Sequence, residues 1–255
     1  MPHDRPIVTL TTDFGLRDAY VATMKAAILK HCGYARLIDV THQVPRHDIL
    51  CGSITLERAV DGFPSGMVHL IVVDPGVGTD RRLVVARLRE QFIVCPDNGL
   101  ITWPWRVHAD GQAFELTWRP SIGKLSSTFH GRDIMAPVAG MLASGVALET
   151  LARPIDDPVL LDIIPATNGG GAIIHVDHFG NLTTNVPQRL LADRATLAIR
   201  AKGHEIGALQ KTYWDVEPGK ALALIGSSGL LEIAVRDGSA EKELGLRVGD
   251  EVTLR

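Results

Sequence analysis

The run Val68-His-Leu-Ile-Val-Val-Asp-Pro-Gly-Val-Gly-Thr-Asp-Arg-Arg82 constrains the fold of this chain more than any other stretch. Its first six residues are nearly all apolar and β-branched, the pattern of a strand buried on both faces of a parallel sheet. The strand stops at Asp74. Pro75 then withdraws a backbone donor and ends the pairing, and Gly76 and Gly78 permit a tight turn with close backbone approach. Open α/β sheets bind ligands beyond the carboxyl ends of their strands, so Asp74 and, seven residues on, Arg81 stand where such a protein keeps its site. A plainer reading makes Asp74 a turn-capping acid and Arg81 a solvated surface charge.

The same device occurs at the start of the chain, where the strand Ile7–Thr12 runs into Asp13-Phe14-Gly15. Asp18 is then placed to cap a helix reaching about Cys32, with Gly33 as its stop. A second strand, Arg36–Val40, leads through Thr41-His-Gln-Val-Pro-Arg-His47 to Asp48, which caps a helix to about Val60. Leu83–Leu88 and Phe92–Cys95 read as two strands joined by a charged turn, the second delivering Pro96-Asp97-Asn98-Gly99. Thr128-Phe-His-Gly-Arg-Asp133 enters a helix over Ile134–Ala143. Alternating strands and helices predict an N-terminal α/β domain, residues 1–153, with a largely parallel sheet. The Pro- and Gly-rich stretch 154–171 reads as a linker. Beyond it, Ala172–Asp177, Thr196–Arg200, Ala221–Ile225, Leu230–Val235 and Glu251–Leu254 are short strand-like runs, which predict a smaller β-barrel domain over 172–255.

Several function classes are disfavoured. A net charge of −3 leaves no electrostatic footprint for nucleic acid or an anionic membrane. No apolar run approaches the roughly 20 residues that span a bilayer, and Met1-Pro-His-Asp-Arg-Pro6 lacks the apolar core of a signal peptide. Three scattered cysteines, Cys32, Cys51 and Cys95, form no disulfide framework and suit a reducing cytoplasm. No dinucleotide or phosphate-loop glycine motif follows a strand; Gly169-Gly-Gly171 precedes one. Among ten histidines the pair in His175-Val-Asp-His178 is the best metal candidate. On a strand, however, His175 and Asp177 share one face and His178 takes the other, so the reading is no metal. What remains is a set of strand-end acids with His130, whose place between a Ser/Thr run and a glycine favours an exposed functional role over a structural one.

These residues carry a family resemblance. The chain resembles the S-adenosyl-L-methionine (SAM) hydrolases (adenosine-forming), or SAM hydroxide adenosyltransferases, relatives of the SAM-dependent fluorinase and chlorinase. The matching pieces are Thr11-Thr-Asp-Phe-Gly15, Asp39-Val-Thr-His42, Val73-Asp-Pro-Gly-Val-Gly78 with Arg81, Pro96-Asp-Asn-Gly99, Thr128-Phe-His-Gly-Arg-Asp133, Asp177-His-Phe-Gly-Asn181 and Ser227-Ser-Gly-Leu-Leu-Glu-Ile-Ala-Val235. Each is weak alone, but seven in order at compatible spacing are specific, and they cover nearly the whole chain.

The resemblance implies an α/β domain followed by a β-barrel, assembled as a trimer with SAM between the N-terminal domain of one subunit and the C-terminal domain of the next. It puts the family's hydrolytic Asp, Arg and His on Asp74, Arg81 and His130. It implies that Asp13 accepts from the ribose hydroxyls, that Asp177 pairs with the methionine ammonium and Ser228 with its carboxylate, and that Asp18 lies near the methionine end. Phe179 would pack on adenine, Asn181 would bond its polar edge, backbone at Arg236–Gly238 would complete that site, and Phe129 belongs to the substrate-binding set. Without the family, Phe179-Gly-Asn181 is simply a turn between strands, and Asp13 a turn or helix cap. One departure stands out: His47 occupies a position where many relatives have an aromatic residue. In the fluorinase a tyrosine stands at Asp74 and a halide-holding serine at Gly131, so the pair Asp74 and Gly131 points to hydrolysis.

The implied reaction needs no cofactor, because SAM is the substrate and its sulfonium leaves as a neutral thioether. The demanding partner is water. Arg81 would favour its hydroxide-like form, Asp74 would orient it and could take its proton, and His130 would serve as acceptor or relay. Two rivals remain: a SAM-dependent halogenase, and a SAM or adenosine sensor without catalysis.

Overall fold

The computed structural model describes residues 5–121, 125–191 and 198–255. The chain forms two compact units, Met1–Leu161 and Asp162–Arg255. Of the expected strand Thr196–Arg200, residues Thr196 and Leu197 lie outside the described residues, as do residues 1–4 of the N-terminal segment.

In the first unit, strands β1 (Ile7–Thr12), β2 (Arg36–Thr41), β3 (Val68–Val72), β4 (Leu83–Leu88), β5 (Gln91–Pro96), β6 (Gln112–Leu116) and β7 (Ala152–Ile155) form one sheet in the order β2-β1-β3-β5-β4-β6-β7. The pairs β1·β2, β1·β3 and β3·β5 are parallel; β4, β6 and β7 extend the sheet with antiparallel pairs. The parallel half is therefore the half that carries the strand-end acids. Register places Thr12 opposite Val72, so Asp13 and Asp74 leave the sheet at the same edge, with Asp97 leaving β5 there too. β3 is buried at every position because it is covered on both faces. Val68, Leu70 and Val72 pack with α1 (Tyr20–His31) and α4 (Ala136–Ala143). Ile71 and Val73 face α2 (Ile49–Gly62), and Leu100 and Ile101, which lead into α3 (Thr102–Val107), share that core.

One polar network crosses this apolar interior. His69, on β3 and 1% exposed, sits between Thr9 Oγ1 at 2.7 Å and Gln91 Oε1 at 2.5 Å. Gln91 Nε2 donates to Val60 O at 2.9 Å and Phe63 O at 3.0 Å. Since the amide nitrogen is spent on those carbonyls, Oε1 accepts from His69 Nε2–H and Nδ1 accepts from the Thr9 hydroxyl. Burial holds the His69 pKa down, with the Gln91 bond opposing it in part. The network satisfies carbonyls at the end of α2 that the helix itself leaves open.

Helix capping agrees with expectation at Asp48, whose carboxylate accepts from Cys51 N–H at 2.9 Å. It differs at Asp18. The first helix begins at Tyr20 with Ala19 as N-cap and no side-chain cap, because a bend and turn through residues 16–19 delay its start. The helix expected over Ile134–Ala143 opens instead as a π-helical turn, Gly131–Met135, that passes into α4.

In the second unit, β8 (Gly170–Val176), β9 (Leu182–Pro187), β10 (Ile199–Ala201), β11 (His204–Gly207), β12 (Ala221–Ile225), β13 (Leu230–Val235) and β14 (Glu251–Leu254) pair in the order β11-β10-β14-β8-β9-β13-β12, every pair antiparallel. A bridge from Leu209 to Ala223 brings the chain beyond β11 to β12 and nearly closes the sheet into a barrel. Its interior is filled by Ile173, Leu182, Val186, Ile199, Leu231, Ile233 and Val252, and the short helix α5 (Ala240–Leu244) follows β13. Strand pairing enters the stretch 154–171 from both sides, since Pro154 and Ile155 belong to β7 and Gly170 opens β8. Among the described residues no helix is long and apolar enough to cross a membrane.

Candidate active site

The turn after β3 builds the densest group of functional side chains. Val77 N–H donates to Asp74 O at 3.3 Å and Thr79 N–H to Gly76 O at 3.1 Å, folding the chain back so that Arg81 faces Asp74. Arg81 Nε donates to Asp74 Oδ1 at 2.6 Å, and Nη2 donates to Oδ2 in a second, parallel bond. This is the two-pronged fork that guanidinium and carboxylate geometry favours. Both side chains are nearly buried, 9% exposed for Arg81 and 5% for Asp74. The remaining guanidinium nitrogen, Nη1, lies 3.2 Å from His130 Nδ1.

That last contact assigns the histidine's proton. Arginine only donates, so Nδ1 accepts and the ring proton sits on Nε2. Burial first, and the Arg81 charge second, hold the His130 pKa below its ordinary value of 6.5. The neutral ring therefore persists to lower pH than in a free histidine. His130 thus offers an N–H donor at Nε2, while Asp74, with one lone pair on each oxygen used by Arg81, retains acceptor capacity.

Two features deliver His130 to this place. Phe129, beside it, packs edge-on against Phe14 and Tyr20 at ring separations of 5.8 and 5.3 Å, and Arg132 lies over its face at 5.0 Å. Gly78, at φ +85°, lets the Asp74 turn touch the Ser127 carbonyl; a Cβ there would lie 2.6 Å from that oxygen. Gly131 differs: a Cβ would meet Met24, Phe129 and Val72 at an ordinary 3.5 Å, so packing does not demand glycine at that position.

Asp13 lies at the same sheet edge. Its Oδ2 accepts from His47 N–H at 2.9 Å, and His47 adopts φ +65° to present that amide. His47 therefore meets Asp13 through its backbone. Asp18 is exposed just ahead of α1. Asn98 was not singled out for a role, yet its Nδ2 donates to Val73 O at 2.9 Å, directly before Asp74, while its Oδ1 is buried without a partner.

The second unit holds its own cavity, of about 980 Å³, lined by Asp177, Phe179, Asn181, Trp214, Arg236 and Gly238 among others. That is the size of a small-molecule site. Asp177 first builds its own turn: Oδ1 accepts from Phe179 N–H at 2.8 Å and Asn181 N–H at 2.9 Å, and Oδ2 from Asn181 Nδ2 at 3.1 Å. Three of its four lone-pair positions are thereby used, and Asn181 is left presenting its carbonyl oxygen. The turn displays Phe179 73% exposed. Ser227 lines the cavity, and the expected Ser228 follows it in the same turn, both side chains exposed.

Tyr213, Trp214 and Glu232, to which the sequence motifs assign no role, also line the cavity. Thr212 and Asp215 form a reciprocal capping box around the short helix Tyr213–Asp215, and this spacing was the available signal. The capped turn holds Trp214 with the Arg236 guanidinium 4.1 Å over its ring. Tyr213 donates to Glu232 at 2.6 Å, and burial together with that carboxylate pushes the phenol pKa up. The metal candidate around His175 has no counterpart: among the described residues no group of three or more potential ligands is gathered.

An α/β unit with an Asp–Arg–His group gathered beyond the end of β3, joined in sequence to a barrel unit with an aromatic-lined cavity, is the build of a small-molecule enzyme. Comparison with known proteins makes this specific. The SAM hydroxide adenosyltransferase N-terminal domain matches residues 8–152 and the C-terminal domain of that name residues 171–253. The chain belongs to the SAM hydroxide adenosyltransferase family. It is 36% identical to an (R)-S-adenosyl-L-methionine hydrolase of Thermus thermophilus, over 98% of this chain and 99% of that one. A crystal structure of an uncharacterized conserved protein from Thermotoga maritima superposes with a TM-score of 0.89 at 34% identity, over 97% of this chain and all of that one. A fluorinase of Nocardia brasiliensis is more distant, 26% identical over 98% and 97% of the two chains.

The Gly78 contact yields a direct test. Gly78→Ala forces a left-handed alanine against the Ser127 carbonyl, so the turn must shift away from His130. We expect a loss of about 2–4 kcal/mol in urea unfolding. Unchanged stability would show that the turn does not need glycine.

Proposed function

We propose that this protein hydrolyses SAM to adenosine and L-methionine by in-line attack of water on the ribose C5′. The observation that carries the reading is the desolvated Asp74–Arg81 fork with neutral His130 on its third nitrogen. Methionine departs as a neutral thioether, so no acid is needed at the leaving group and no metal or organic cofactor is called for. The group that needs help is water. Asp74 accepts one of its hydrogens and takes the proton as the C–O bond forms. Arg81 locks the carboxylate's position and supplies positive charge that favours a hydroxide-like nucleophile in a site of low dielectric. His130 Nε2–H donates to the water oxygen and fixes its direction of approach.

In this reading Asp13 binds the ribose hydroxyls, Phe14 and Phe129 wall that side, and Asp18 stands near the methionine end. Asp177 uses its remaining lone pair for the methionine ammonium, with the Ser227–Ser228 turn at the carboxylate. Phe179 stacks on adenine, the Asn181 oxygen accepts from its amino group, and the Arg236–Gly238 backbone completes the adenine edge. Halogenation is the less favoured reading. Gly131 offers a halide no hydroxyl, although a Cβ there meets its neighbours only at ordinary contact distance, and the Asp74 carboxylate repels an anion. A sensor without catalysis has no use for the Asp74–Arg81–His130 group. A cytoplasmic location fits the substrate, an intracellular metabolite, and the three free cysteines.

Chromatography of SAM incubated with purified protein tests the reaction: adenosine and methionine are expected in equal amounts. Asp74→Asn should slow turnover by ~100-fold or more while SAM affinity stays within about tenfold, or ~1.4 kcal/mol. Wild-type turnover in that variant would remove Asp74 from the mechanism, and no products from the wild type would remove the function.

The family resemblance also supports a trimer in which each SAM meets the first unit of one subunit and the second unit of another. Exposed apolar side chains beside the candidate residues, Leu16 and Tyr20 in one unit and Phe179 and Trp214 in the other, suit closure by a neighbouring copy. Sedimentation equilibrium should give three times the chain mass. A fully active monomer would contradict the shared site.

A further inference from the structure

Behind Asp13 runs a chain of polar side chains that the proposed reaction leaves unused. Thr12 ends β1 with no exposed surface, and its Oγ1 lies 2.9 Å from His42 Nδ1. His42, 4% exposed, brings Nε2 to 3.1 Å from Asp39 Oδ1. Asp39 Oδ2 accepts from Lys25 Nζ at 2.6 Å. Hydroxyl, imidazole and carboxylate in this order resemble a nucleophilic triad, but a substrate cannot reach the buried Thr12.

The donors and acceptors give the chain a direction. A carboxylate only accepts, and a ring lone pair facing it would be repelled, so the His42 proton sits on Nε2. That approach is close but poorly aligned, a polar contact rather than a straight hydrogen bond. Nδ1 then accepts from the Thr12 hydroxyl, whose oxygen in turn accepts from Phe14 N–H at 3.2 Å. Gly15 N–H donates to His42 O at 2.7 Å, and Val44 N–H to Thr12 O at 3.3 Å. Both amides that follow Asp13 thus end on the Thr12–His42 pair. Burial pushes the Asp39 carboxyl up, but the bond from Lys25 and the contact with His42 outweigh this and hold it below the usual carboxylate range. On the far side of Asp13, the His47 amide holds its carboxylate.

We propose that His42 is a positioning residue, which with Thr12 and Asp39 sets the Asp13-Phe14-Gly15 turn so that the Asp13 carboxylate meets the substrate's ribose hydroxyls. This rests on the reading of SAM as substrate and Asp13 as its ribose partner. It has a consequence that general stabilisation of the fold does not share: His42 acts on SAM through the turn that carries Asp13, so most of its effect disappears once the Asp13 carboxylate is removed.

A double-mutant cycle on the full chain reads that coupling. His42→Phe keeps a ring in place and removes both polar contacts. It should raise KM for SAM by ~10-fold or more with kcat within about threefold. Asp13→Ala should raise KM at least as much, and the rise in the double variant should fall well short of the product of the two single effects. Asp39→Asn keeps an acceptor for Nε2 and should fall between wild type and His42→Phe. If His42→Phe does not fold, Thr12→Val, near in shape and lacking the hydroxyl, should show the same rise in KM at nearly constant kcat. Normal wild-type turnover with KM effects that multiply in the double variant overturns this proposal alone, as does an unchanged KM in both Thr12→Val and Asp39→Asn. Absence of SAM turnover in the wild type overturns the substrate reading and this proposal together.

Discussion

The first unit depends on one desolvated ion pair at the end of its central strand. Removing a carboxylate and a guanidinium from water costs several kcal/mol for each ion, and a single bond between Asp74 and Arg81 would not offset it. The pair persists because Arg81 engages both carboxylate oxygens and still has a nitrogen for His130. The next residue is pinned as well. Arg82 Nε donates to Asp97 Oδ2 at 2.8 Å, and its two terminal nitrogens reach Asp157. Two consecutive arginines thus face three acids on different segments, Asp74 for Arg81 and Asp97 with Asp157 for Arg82, and the turn cannot rotate without breaking one set.

The fold gathers the site by topology. β1, β3 and β5 run parallel and adjacent, so Asp13, Asp74 and Asp97 emerge at one edge although up to 84 residues separate them in sequence. The apolar runs that make these strands self-evident also make them rigid, with helices packed on both faces. Turns that carry polar groups are then held by short-range devices: the Asn98 bond to the Val73 carbonyl, the Thr12–His42 contact, and the Phe14, Tyr20 and Phe129 rings. Stability lives in the strands, and the polar groups of the candidate site in the turns.

This division explains what could be read from sequence. β1, β3, β4, β12, β13 and β14 were legible because each is a β-branched or alternating run bounded by turn residues. The cap at Asp48 was legible because its partner lies three residues away. Asp74, Arg81 and His130 were legible as a resemblance, yet the tautomer of His130 was not, since it follows from a nitrogen 49 residues distant. Asp18 failed as a cap because bends before Tyr20 delay the helix. β6 and β7 lack a strong alternating pattern and are strands by virtue of their neighbours.

The central claim is that water, held by Asp74 and His130, attacks C5′ of SAM. Turnover in ¹⁸O-enriched water measures this by mass spectrometry of both products. The account predicts one labelled oxygen in the 5′-hydroxyl of adenosine and none entering methionine, with no 5′-halo-adenosine when chloride or fluoride is in excess. Unlabelled adenosine, a halogenated nucleoside, or methylthioadenosine as the main product would contradict it.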